Sequence, residues 1–99
     1  TLSLFNGPLA SVTGNSALSV AGALVAFGAG SNAVNIANTL CSSFACASIG
    51  GLNVALMGGA SASNVSISAP ITGAGTLTMA PNAAAIVVSG AGSSVKVGN

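Results

Sequence analysis

Along this chain apolar residues alternate with small or polar ones in short bursts, which is the period of a β-strand with one buried face. The pattern is clearest at Leu2-Ser3-Leu4, Leu18-Ser19-Val20, Leu52-Asn53-Val54-Ala55-Leu56, Val65-Ser66-Ile67-Ser68, Leu77-Thr78-Met79 and Val95-Lys96-Val97. Short strands separated by glycine-rich turns predict an all-β protein. Ala85-Ile86-Val87-Val88 breaks the alternation with a continuous apolar run, which predicts a centrally placed strand buried on both faces.

The turns share a phrase. Phe27-Gly28-Ala29-Gly30-Ser31, Thr72-Gly73-Ala74-Gly75-Thr76 and Ser89-Gly90-Ala91-Gly92-Ser93 each place Gly-Ala-Gly before Ser or Thr, and each leads into alternating apolar positions. Thr13-Gly14-Asn15-Ser16 is a looser version, with further glycine steps at Gly50-Gly51 and Gly58-Gly59. None has the spacing of a phosphate-binding loop, so they read as turn chemistry.

Residues 31–49 read in two ways. Val34, Ala37, Cys41, Phe44 and Ser48 follow a helical spacing, with Ser31 or Asn32 as a cap and Gly50 as a stop. The alternative is strand, turn, strand. A disulfide between Cys41 and Cys46 favours the second reading, because five residues along a regular helix point about 140° apart, beyond bridging reach. In a hairpin with the loop Ser42-Ser43-Phe44-Ala45 the two would face each other, and a pair of cysteines in a small exported chain favours a bridge. Two buried free thiols are the other option.

Composition sharpens this picture. The 99 residues include no Asp, Glu or His and a single basic residue, Lys96, whereas 20 Ala, 15 Ser and 14 Gly fill half the positions. Soluble domains normally carry about a quarter charged residues. The chain is one domain, residues 1–99, with 1–7 as a candidate N-terminal donor strand or arm. One lysine cannot release the counterions that nucleic-acid binding needs, so no nucleic-acid partner is expected. The chain opens TLSLFNGPLA, without a basic leader or initiator Met, as a processed exported protein would. The longest apolar stretch, Ala17 to Gly30, falls short of the about 20 residues a spanning helix needs and lacks flanking Lys or Arg, so a membrane partner is not expected.

The chemistry needed for catalysis is scarce. Without carboxylates or histidine there is no acid–base pair, triad or metal cluster, and hence no expected enzyme activity, small-molecule substrate, metal or cofactor. Thr1 has the form of an N-terminal nucleophile but lacks its supporting Lys and carboxylate. Ser94 and Lys96 have the form of a Ser-Lys pair, yet on a strand both simply project to one face, and Lys96 reads better as a solubilising edge charge. Asn64-Val65-Ser66 is a sequon, which makes Asn64 a candidate N-glycosylation site.

The stretch NVSISAPITGAGTLTMAPNAAAIVVSGAGSSVKVGN resembles the β-helical repeats of bacterial filamentous haemagglutinins and autotransporter passenger domains, in which an apolar-x-Gly-x-Gly-x-Leu-x-Leu phrase marks successive coils. The resemblance covers residues 62–99, with weaker echoes over 13–36. It implies a secreted surface protein with a right-handed parallel β-helix and an adhesive or scaffolding role. This chain departs from that family in being far shorter and nearly uncharged.

A self-stacking protein has a reason to lose its charges. When identical strands add to one another, each side chain meets its own copy about 4.8 Å away. A like-charge pair at that distance costs about 0.9 kcal/mol even in bulk water. Asn, Ser and Thr ladders avoid the penalty, and small residues let sheets approach closely. The leading expectation is therefore an extracellular subunit of a homopolymeric filament, pilus-like or adhesive, whose partners are copies of itself. Two architectures fit: a β-solenoid stacking end to end, and a β-sandwich whose N-terminal strand, carrying Leu2, Leu4 and Phe5, inserts into the next subunit. Alternatives are a surface-active coat protein of hydrophobin or chaplin-like role and a small membrane protein.

Overall fold

The computed structural model describes residues 2–98, so Thr1 lies outside the described residues. Strands hold 45 % of the chain and helical turns 7 %, without a closed barrel, and the protein is all-β. The strands are β1 (Leu2–Leu4), β2 (Ala10–Val12), β3 (Ala17–Val20), β4 (Val25–Ala26), β5 (Ala33–Ile36), β6 (Ala45–Ile49), β7 (Leu52–Met57), β8 (Val65–Ile67), β9 (Ile71–Thr72), β10 (Thr76–Met79), β11 (Ile86–Ser89) and β12 (Ser94–Val97), with one helical turn, α1 (Leu40–Ser43), between β5 and β6.

These strands form four sheets. Sheet A has the order β1-β5-β10, sheet B β2-β11-β7-β6, sheet C β3-β12-β8 and sheet D β4-β9. Every pairing is parallel except β6 with β7, a hairpin closed by Gly50 and Gly51 at φ 60° and 85°. The order within sheets follows the chain in sheets A and D. In sheets B and C the last strands, β11 and β12, lie between strands from the first 20 residues and strands from the 52–67 stretch.

The period of two in the sequence becomes two kinds of column. Inward columns stack Leu4, Ile36 and Met79 in sheet A, Ala10, Ile86 and Val54 in sheet B, and Val20, Val97 and Ile67 in sheet C. Outward columns stack Ser3, Asn35 and Thr78, and Ser19, Lys96 and Ser66. The inward side chains merge into one core whose centre is Ile36, Val54, Ile86, Val88, Val95 and Val97, all at most 1 % exposed. Each such side chain contributes about 1.5–3 kcal/mol by leaving water.

The apolar run Ala85–Val88 becomes β11, central in sheet B and buried on both faces. One face joins the main core; on the other, Val87 packs with Ala55 and Ala84 beneath Leu40 and Cys41. The helical spacing over 31–49 is not followed by a helix of that length. The β-branched Val34 and Ile36 alternate with Asn35 and pair on both sides, and only Leu40–Ser43 turns helically before β6 begins. The tight reversal in this region lies at Gly50-Gly51 rather than at Ser42–Ala45. Ala17–Gly30 forms β3 and β4, and among the described residues no helix is long and apolar enough to cross a membrane.

Candidate functional site: the unpaired sheet edges

Each sheet ends in strands whose outer backbone groups have no partner strand. On one side these are β1, β2, β3 and β4, all from the first 26 residues; on the other they are β10, β6, β8 and β9. None of these eight strands contains a charged residue or a proline, because Pro8, Pro70 and Pro81 all fall in connections. Monomeric sheet proteins usually blunt such edges with charge, proline or a covering element. The structure places the expected edge charge elsewhere: Lys96 is on β12, the middle strand of sheet C, flanked by Ser19 and Ser66. Its outward position between two small hydroxyl side chains leaves the ammonium in water, so a central strand tolerates it.

Leu2 and Leu4, expected in a subunit-contact strand, form β1, where they pair with Val34 and Ile36 of the same chain. Leu2 is 46 % exposed and Phe5, just beyond the strand, 67 %. Among the described residues three large hydrophobic side chains face solvent, and two of them, Leu2 and Phe5, lie on or next to the edge strand β1. The third, Phe44, caps α1 beside the start of β6, the outermost strand of sheet B. Both sides of the sheet stack therefore combine open backbone with exposed apolar surface.

Cys41 and Cys46 are joined by a disulfide with Cα atoms 5.6 Å apart. The bridge fastens α1 to β6, which keeps Leu40 and Cys41 over the outer face of sheet B. Asn64 is exposed at the end of a single 3-10 turn, Ala62–Asn64, whose start is held by the Ser61 hydroxyl accepting from the Ser63 N–H. Ser94 and Lys96 both lie on the outward face of β12. A shallow open cleft of about 410 Å³ lies between Gly30–Ala33 and Ala74–Thr76. Its one carboxamide, Asn32, is engaged with the carbonyls of Gly28 and Gly30, so no converging side-chain chemistry is present there.

One structural residue was not singled out in the sequence. Asn38 is 2 % exposed, and its carboxamide bonds Gly7 and both backbone groups of Ala84. The signal for it is parity: Val34, Ile36 and Asn38 are two apart in turn, so an extended chain aims all three inward.

The glycine phrases are spatial neighbours as well as textual ones. Gly90 and Gly92 lie against Asn15, whose Oδ1 accepts from the Gly92 N–H at 3.0 Å, and Gly58 and Gly59 pack against Ser89, Gly90 and Ala91. The bends thus form a column of nearly bare backbone. Comparison with protein-family models, with curated proteins and with solved structures finds no match to this chain.

Proposed function

We propose that this protein is the subunit of an extracellular homopolymeric filament, pilus-like or adhesive, joined to copies of itself by β-strand pairing. The observation that carries this reading is the pair of uncharged, proline-free sheet edges flanked by Leu2, Phe5 and Phe44. A solitary molecule would gain from blunting them; a polymer needs them open. Of the two candidate architectures, the parallel pairing in all four sheets favours a short β-solenoid, since sandwiches pack antiparallel sheets. The outward Ser, Asn and Thr columns support the same reading, because they extend across a subunit boundary without like-charge contacts. The Cys41–Cys46 bridge fits an oxidising compartment, and the resemblance of residues 62–99 to β-helical surface adhesins fits secretion.

Electron microscopy and fibre diffraction of the purified full chain test this reading. The expected result is unbranched filaments with a reflection near about 4.8 Å along the fibre axis. A chain that stays monomeric at high concentration in sedimentation would sink it.

A further inference from the structure

The strand order in sheets B and C puts residues 86–97 in the middle of the fold. β11 is the sole partner of β2, and β12 is the sole partner of both β3 and β8. Without residues 86–97, the strands of the first 20 residues and those of the 52–67 stretch would face each other across a slot one strand wide. Both walls would present unpaired backbone. Ile86, Val88, Val95 and Val97, each at most 1 % exposed, fill the apolar interior of that slot.

The tail is also gripped where it enters. The Cys41 N–H donates to Asn82 O, Asn53 Nδ2 to Ala83 O and Asn38 Nδ2 to Ala84 O, and the Leu9 N–H donates to Ala85 O. Just before this grip the chain makes an exposed turn at Pro81 and Asn82, closed by the Ala83 N–H on Ala80 O. Ala80 itself is still held by its own N–H on Ile36 O. The boundary between anchored body and inserted tail is therefore a two-residue bend.

We propose that subunits are joined by exchange of this tail: Asn82–Gly98 of one copy fills the slot between β2 and β3 on one side and β7 and β8 on the other in the next copy. The proposal rests on the polymer reading above but places the joint in the interior slot rather than at the open edges. An identical tail makes identical bonds in either slot, so exchange alters only the bend at Pro81 and Asn82. Pairing of β2 with β11 and of β3 with β12 is the least local strand pairing in the fold, the kind whose loop-closure cost is greatest. Each copy both donates a tail and offers a slot, so one-way exchange is a heterologous contact that extends into a filament, whereas reciprocal exchange between two copies would close a dimer.

Cysteine pairs in the full chain test this. Ser19 and Lys96 are exposed register partners on neighbouring strands, whereas Ser19 and Ser66 are two strands apart, about 10 Å, beyond disulfide reach. Chains carrying S19C and K96C together, assembled and then oxidised, are expected to run as a ladder of covalent multimers on a denaturing gel, and to collapse to monomer on reduction. Filaments whose S19C/K96C chains link only within themselves, while S19C/S66C chains form the ladder, would show edge-to-edge stacking; that overturns exchange and leaves the polymer reading intact. Monomers with internal links and no filaments overturn both.

Discussion

Asn38 and Ala84, 46 residues apart, pair as two strands would: Asn38 Nδ2 donates to the Ala84 carbonyl at 2.9 Å and Asn38 Oδ1 accepts from the Ala84 N–H at 2.9 Å. The same Nδ2 also reaches the Gly7 carbonyl at 3.0 Å. One side chain thus ties the β1–β2 connection to the β10–β11 connection. Replacing Asn38 with Ala removes the partner of four backbone groups, the buried N–H and carbonyl of Ala84 and the half-buried Gly7 carbonyl and Leu40 N–H, and is expected to cost about 3 kcal/mol in urea unfolding. Asn38→Asp keeps the acceptor but aims a carboxylate at two carbonyls. Burial there favours the protonated acid and raises the folded-state pKa above the unfolded one, so the variant is expected to lose stability as pH rises from acidic to neutral.

Much of the strand inventory was legible because the period of two was strong where it occurred. Leu2–Leu4, Leu18–Val20, Leu52–Leu56, Val65–Ile67, Leu77–Met79 and Val95–Val97 each alternate large apolar residues with small or polar ones, and all lie in strands. β4 and β9 are two residues each, too short to show a period, and β2 and β6 are built largely of Ala, Ser and Cys, which suit either face. The insertion of β11 and β12 between earlier strands left no local trace. Contacts such as Gly92 with Asn15, 77 residues apart, depend on which strands become neighbours, and no local pattern carries that. The Gly-Ala-Gly phrase does not take one conformation: its first glycine is left-handed at Gly73 and Gly90, but its second is at Gly30. The edges of the candidate assembly site were legible only as missing charge, since Lys96 lies at a middle strand that no local pattern distinguishes from an edge.

Ala69 carries a backbone conformation better suited to glycine. Its φ of 48° is left-handed, Pro70 follows it, and the residue is exposed. A Cβ in that region is penalised by about 1–2 kcal/mol, which the extra freedom of glycine in the unfolded chain offsets in part. Ala69→Gly is therefore expected to stabilise the fold by about 0.5–1 kcal/mol, read as a higher denaturant midpoint with an unchanged slope.

The Cys41–Cys46 bridge closes a short loop, so its effect on the unfolded chain is expected to be near about 2 kcal/mol. Its local effect is larger in kind. Once α1 is released from β6, Leu40 and Cys41 no longer hold against Val87, Ala55 and Ala84. Serine at both cysteines is expected to lower stability by that amount and to speed hydrogen exchange selectively at β7 and β11, measured residue by residue. Uniform exchange across all four sheets would contradict the covering role of α1.

Gly73 and Gly75 both lie against Phe27, but for different reasons, and substitution separates them. A Cβ on Gly75 would come within 2.6–2.8 Å of three atoms of the Phe27 ring, a side chain able to turn away. A Cβ on Gly73 would collide with the Phe27 carbonyl oxygen, and Gly73 is itself left-handed at φ +92°. That oxygen belongs to backbone held next to the β4–β9 pairing, where the Phe27 N–H donates to Thr72 O at 2.8 Å. Gly75→Ala should then cost about 1–3 kcal/mol by overpacking, and Phe27→Ala should recover most of it. Gly73→Ala should cost about 3 kcal/mol whether or not Phe27 is truncated, because neither the backbone contact nor the φ depends on the ring. A double-mutant cycle by chemical unfolding measures both couplings, and a large coupling between Gly73→Ala and Phe27→Ala would mean that the ring, not the backbone, sets the spacing of these two turns.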